Sequence, residues 1–131
     1  MDYVADTTFL VGVWRRQEWA IQFASAHADQ AIGVPWVVLG EFWHGALRAG
    51  HDRGSVERFL RLGVPLLETR GAIHQYAIIA AALQQQGVYR MIGQNDLWIA
   101  AAALAAERPL VSRNRRHFGH IGDLELVVLE D

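Results

Sequence analysis

Short apolar runs alternate with longer stretches of helical spacing along the whole chain. Tyr3-Val4-Ala5 reads as a buried strand, ended by Asp6-Thr7-Thr8, three residues of helix N-cap type. Phe9-Leu10-Val11 begins a first helix, and Glu18 to Gln30 reads as a second helical segment with Trp19, Ile21, Phe23 and Ala24 among its apolar positions. Ala31 to Val34 is a second short strand. Pro35 suits the first turn of the next helix, which runs to about Arg48. A Gly50–Gly54 loop follows, and Ser55 caps a helix through Phe59, Leu60 and Leu62. Val64 to Leu67 is a third strand. Ile73, Tyr76, Ala77, Ala80 and Leu83 mark a long helix stopped by Gly87. Asn95 caps a helix from Asp96 to about Ala106. Pro109 to Ser112 and Leu124 to Leu129 complete five strands. Such alternation predicts an α/β domain whose central parallel sheet, of about four to five short strands, is flanked by helices.

At 131 residues, 52% of them hydrophobic, the chain is expected to form one domain, residues 1–131, with a real core. No apolar stretch approaches bilayer-spanning length, and the N-terminus has no basic region of the secretory type, so a cytoplasmic protein is expected. The absence of cysteine excludes disulfides and thiolate metal sites. A formal charge of −2 argues against a uniformly basic nucleic-acid coat but leaves room for a local patch. All twelve basic residues are arginines, whose planar fork suits phosphate.

Three carboxylates interrupt this apolar pattern: Asp6 after the first strand, Glu41 in Val37-Val38-Leu39-Gly40-Glu41-Phe42-Trp43, and Asp96 before Leu97-Trp98-Ile99. In a parallel α/β sheet each strand ends at one edge and the next helix starts there. That topology brings Asp6, Glu41, Asp96, Ser112 and Asn114 to the carboxyl edge, where open α/β sheets bind ligands. Taken singly, Asp6 is explained as an N-cap and Asp96 as a complement to the helix dipole. Glu41 is harder to explain, because a buried unpaired glutamate is costly; Arg48 or Arg90 are its candidate partners. Together, acids that repel one another on one edge point to a divalent cation between them, and an all-oxygen set favours Mg2+ or Mn2+.

With these residues in place, the chain resembles the PIN-domain ribonucleases, specifically the VapC type of bacterial toxin. The matching stretches are Asp6-Thr7; Glu41 in Val37 to Gly45; Ile92-Gly93-Gln94-Asn95-Asp96-Leu97-Trp98-Ile99-Ala100-Ala101; and Leu110-Val111-Ser112-Arg113-Asn114-Arg115-Arg116-His117-Phe118. Their order and spacing match over essentially the whole chain. The resemblance implies a PIN-like fold and Mg2+- or Mn2+-dependent cleavage of RNA. It also implies homodimers and an antitoxin as partner. By this match Asp6, Glu41 and Asp96 are the metal-binding acids, and Asn114 stands where many relatives carry a fourth acid.

No Ser-His-Asp or Cys-His arrangement is evident, so the expected nucleophile is water activated by the cation. Thr7 and Ser112 are expected to hydrogen-bond near the cation or the phosphate. Arg113, Arg115 and Arg116 are candidate partners of the RNA backbone. His44, three residues after Glu41, belongs to the site rim in this reading; His117 and His120 read as incidental, and the five tryptophans as core or interface. A haloacid-dehalogenase-like phosphatase also begins with an aspartate after strand one. It needs a second aspartate where Thr8 stands, and a lysine that this chain lacks. A second alternative is a catalytically weak PIN-like module that binds RNA or a partner.

Overall fold

The computed structural model describes residues 1–129. Five parallel strands, β1 (Tyr3–Ala5), β2 (Ile32–Pro35), β3 (Gly63–Leu66), β4 (Leu110–Ser112) and β5 (Leu126–Val128), form one sheet in the order β3-β2-β1-β4-β5. Seven α-helices join them: α1 (Thr7–Trp14), α2 (Glu18–Ala26), α3 (Trp36–Arg48), α4 (Arg53–Leu60), α5 (Arg70–Gln86), α6 (Gln94–Ala106) and α7 (Arg115–Phe118). The three inner strands are buried at every residue, as expected of parallel strands covered on both faces, whereas β3 and β5 at the edges are partly exposed.

From β1 the chain moves outward to β2 and β3. It then returns through α5 and α6 to β4, on the other side of β1. β1 pairs with β2 through Val4↔Gly33 and with β4 through Ala5↔Val111. The direction of winding therefore reverses between β1 and β4, and the carboxyl ends of these two strands flank a topological switch point. Phe9, Leu10, Val38, Leu97, Ile99, Leu110 and Phe118 form the centre of the core. α6 is buried along Leu97 and Ile99–Ala103, and its small alanines let α5 pack closely along it.

Several boundaries differ from the sequence expectation, each for a local reason. α1 starts at Thr7 rather than Phe9, because Asp6 is the cap and Phe9 N–H is the donor it receives. Pro35 ends β2 and stands just before α3 with ψ 151°, so its fixed φ serves an extended residue, not the first turn. Asp52, not Ser55, caps α4, and Ser55 N–H donates to it. Gly93 occupies the cap position of α6, and Asn95 lies inside the first turn with its side chain engaged elsewhere. α2 ends at Ala26, short of Gln30. A 3-10 turn at Tyr89–Met91 and the four-residue α7 are too short to show a period in the sequence. No helix among the described residues is long and apolar enough to cross a membrane.

Candidate active site

Asp6 is the first residue beyond β1 and is 3% exposed. Its Oδ1 accepts the Phe9 N–H at 2.8 Å, and its Oδ2 accepts the hydroxyls of Thr8 at 3.0 Å and Ser112 at 2.5 Å. Ser112 ends β4 and is fully buried, so this last bond spans the switch point. Burial pushes the Asp6 pKa up; the three donors, Ser112 foremost, pull it back, and the Asp96 charge pushes it further up, leaving it raised.

Glu41 lies on α3 between the buried Val38 and Phe42. Thr7 donates its hydroxyl to Oε1 at 2.5 Å, and Asn95 donates its amide to Oε2 at 3.2 Å. These neutral donors stand where an ion pair with Arg48 or Arg90 was the expectation. Glu41 also borders a pocket of about 90 Å³ lined by Val11, Trp14, Arg15 and Phe42 among others.

Asp96 lies in the first turn of α6, and its Oδ2 is 2.9 Å from His117 Nδ1. His117 belongs to α7, which Asn114 caps: Asn114 Oδ1 accepts the His117 backbone N–H at 3.1 Å. The Asn114 backbone N–H in turn donates to Ser112 Oγ at 2.8 Å. Asn114 therefore holds α7 with the only oxygen of its side chain, while its main chain supports the serine that holds Asp6.

Two hydrogen-bonded strings thus cross the edge. One runs Thr8–Asp6–Ser112–Asn114–His117–Asp96, the other Thr7–Glu41–Asn95. Thr7 adjoins Asp6 and Asn95 adjoins Asp96, so the strings share their anchor points along the chain. The sequence reading gives Asn95 only a capping task and His117 at most an incidental one in proton transfer, not the contacts they make to Glu41 and Asp96. The only signal for Asn95 is its place beside Asp96, and for His117 its spacing of three from Asn114. Of the arginines, Arg113 sits over the Trp19 ring at 4.5 Å, a cation–π contact, while Arg115 opens α7; Arg113, Arg115 and Arg116 are all exposed. His44 is exposed on α3. His120 faces another cavity, beside Ile78, Ile79 and Asp123.

The donor set suits a hard divalent cation. The groups that set the Asp6 pKa are neutral donors and one carboxylate of like sign, and a cation would relieve both its burial and that repulsion. As they stand, no three His, Cys, Asp or Glu side chains among the described residues are gathered into a ready-made ion-holding group. The tight convergence expected of the three acids is therefore looser here, because each is held by its own hydrogen-bond partners.

A family model described as the PIN domain matches residues 3–124. The chain is 29% identical over 125 residues to Ribonuclease VapC2 of Haemophilus influenzae, with 92% of each chain covered. It is 26% identical over 131 residues to Ribonuclease VapC1 of the same species, covering 95% of this chain and 96% of that one. Among solved structures, it superposes on VapBC-1 from nontypeable Haemophilus influenzae with a TM-score of 0.79 at 25% identity over 98% of both chains. VapBC2 from Rickettsia felis, bound to a DNA fragment from its promoter, matches with a TM-score of 0.87 at 24% identity, covering 99% of this chain and 100% of that one; this likeness speaks for the fold.

Proposed function

The chain belongs to the PIN-domain family, and on that premise we propose that it is a divalent-metal-dependent endoribonuclease acting as the toxin of a toxin–antitoxin pair in the bacterial cytoplasm. The observation that carries this reading is the pair of strings at the switch point, one linking Asp6 to Asp96 and the other holding Glu41, with neutral donors and an imidazole on the acids in place of arginine. The names of its relatives, ribonucleases of the VapC kind, support the same reaction.

Asp6 and Asp96, with Glu41, would hold the cation, Mg2+ by preference and Mn2+ as a substitute. When bound there, it supplies Lewis-acid activation of water and neutralises charge developing on the phosphate. Glu41 orients the attacking water and takes its proton, and Thr7 and Asn95 fix the glutamate for that task. Ser112 keeps Asp6 aligned from the far side of the switch point. Arg113, Arg115 and Arg116 line the approach along the β4–α7 connection and receive the RNA backbone. Replacing Asp96 with Asn should abolish metal-dependent cleavage of single-stranded RNA while the fold persists; cleavage at the parental rate would overturn the assignment.

The toxin role calls for an inhibitor, and an antitoxin helix is proposed to dock along Trp36–Leu47 of α3. That stretch is flanked by the Glu41 pocket and by a groove lined by Val34, Leu39, Trp43 and Leu60, with Glu57 and Arg61 beside them. Homodimerisation is proposed through exposed apolar side chains such as Ile73 and Ile78 of α5, which are 56% and 47% exposed. Expression alone should arrest bacterial growth, dependent on the three acids. The commitment of Asn114 to capping favours a second reading, a weakly catalytic RNA-binding module. RNA binding without cleavage in saturating Mn2+ is its signature.

A further inference from the structure

The three acids are not held alike. Asp6 receives three donors and Glu41 two. Asp96 has a single hydrogen-bond partner among the described residues, His117 Nδ1. Its side chain is 27% exposed, and nothing else on its own helix restrains the carboxylate. The orientation of Asp96 is therefore set from a different element, α7.

The Nδ1 atom has two neighbours, Asp96 Oδ2 and Asn114 Nδ2, each at 2.9 Å. One proton serves one partner. The Asn114 amide nitrogen is a donor, and the carboxylate is the strongest acceptor in reach, so Nδ1–H points at Asp96. The Asn114 side chain then works as a brace. Its oxygen fixes the His117 main chain at 3.1 Å, and this bond alone does the bracing, since the amide nitrogen is a second donor beside Nδ1–H and makes no hydrogen bond to it. Phe118, 1% exposed, anchors the next residue in the core, so α7 cannot drift.

We propose that His117 is a positioning residue for Asp96: bracketed by Asn114, its imidazole fixes the carboxylate in the orientation that receives the divalent cation. This rests on the metal-dependent reading above. It assigns a task to a histidine that only the fold of α7 brings to Asp96. Metal-ligating carboxylates depend on such outer partners, whose loss costs about 10–100-fold in metal affinity.

The test is a titration with Mn2+ alone, followed by calorimetry and by the metal-induced rise in melting temperature, on His117→Leu, His117→Asn and Asp96→Asn. Leucine fills space without a donor; asparagine returns an N–H close to the Nδ1 position. His117→Leu should bind Mn2+ about 10-fold or more weakly, with kcat on RNA falling and KM little changed. His117→Asn should recover most of the affinity. Parental Mn2+ affinity in His117→Leu overturns the inference, and so does an asparagine variant as weak as the leucine one. If Asp96→Asn itself binds Mn2+ like the parent, the metal-dependent reading is what fails. Should His117→Leu not fold, Asn114→Ala, which removes the bracing cap but leaves the ring, carries the same expectation.

Discussion

Asp6 and Asp96 sit on the same edge of the same sheet, yet the protein holds them in opposite ways. Asp6 is closed in between β1 and β4, with donors from its own turn and from Ser112 across the switch point. Asp96 stands at the start of α6, partly exposed, and leans on one histidine of a four-residue helix. Asp6 is fixed by the sheet itself and changes only if strand pairing changes. Asp96 is fixed from α7, a four-residue helix tied to the core by Phe118 alone. Asp6 and Asp96 would hold the cation from two different settings, one closed within the sheet and one partly exposed.

Removing either charge is the largest way to probe this difference. Asp6→Asn and Asp96→Asn should both lower RNA cleavage by more than about 100-fold, beyond the range of outer-partner losses. Their metal-free stabilities should diverge. The Asp6 pKa in the folded protein lies above the ordinary 3.8, chiefly through burial. A raised carboxylate pKa means the folded state holds its proton more tightly than the unfolded chain does. The stability this gives is complete below pH 3.8 and is lost as pH rises through the folded value. Between acid and neutral pH the melting temperature of Asp6→Asn should therefore rise relative to that of the metal-free parent. Asp96→Asn should keep most of the parental pH dependence, because it removes only the last and smallest cause of the Asp6 shift, the Asp96 charge. Equal pH curves for Asp6→Asn and the parent would break the contrast.

A smaller change tests the Asp6 setting alone. Ser112→Ala removes the 2.5 Å bond to Asp6 and the acceptor for Asn114 N–H, both buried or nearly so. Loss of a hydrogen bond to a charged group costs about 1.5–3 kcal/mol, several degrees of melting temperature for a domain of this size. Stability should fall by that amount. Because Asn114 N–H loses its partner too, some looseness should reach α7 and Asp96. A normal Mn2+ affinity together with a lowered melting temperature would show that the two settings are independent.

The same contrast explains what could be read in the sequence. The strands and the edge positions of Asp6, Glu41 and Asp96 follow from apolar runs and turn residues, because parallel strands covered on both faces are predominantly apolar; the strand order does not, since it depends on packing between elements. The holders of those acids are another matter. Asn95 has a cap-type side chain at a helix start, so local rules assign it to its own backbone, yet it reaches Glu41 from a different element. α7 contains Arg115, Arg116 and His117 before its one buried residue, Phe118, and four residues carry no period. Asn114 stands, by the resemblance, where many relatives carry a fourth acid, and its capping of α7 was not legible. Contacts between elements depend on packing, which local pattern does not encode.

The smallest expected effect bears on the element that carries Asp96. α6 ends at Glu107, which adopts φ 55° in the left-handed region, where a side chain is strained and glycine is not. α5 ends instead at Gly87 with φ 75°, the usual solution. Glu107→Gly should relieve the strain of a left-handed side chain, about 1 kcal/mol, partly offset by the larger backbone entropy that glycine adds to the unfolded chain. The net expectation is a rise of a degree or two in melting temperature. Asp96 lies at the opposite end of α6, some 16 Å away at about 1.5 Å per residue. If its orientation is set by His117 rather than by the stiffness of its own helix, Mn2+ affinity in Glu107→Gly should match the parent while the melting temperature climbs. A gain in metal affinity that tracks the gain in stability would place control of Asp96 in α6 and take it away from α7.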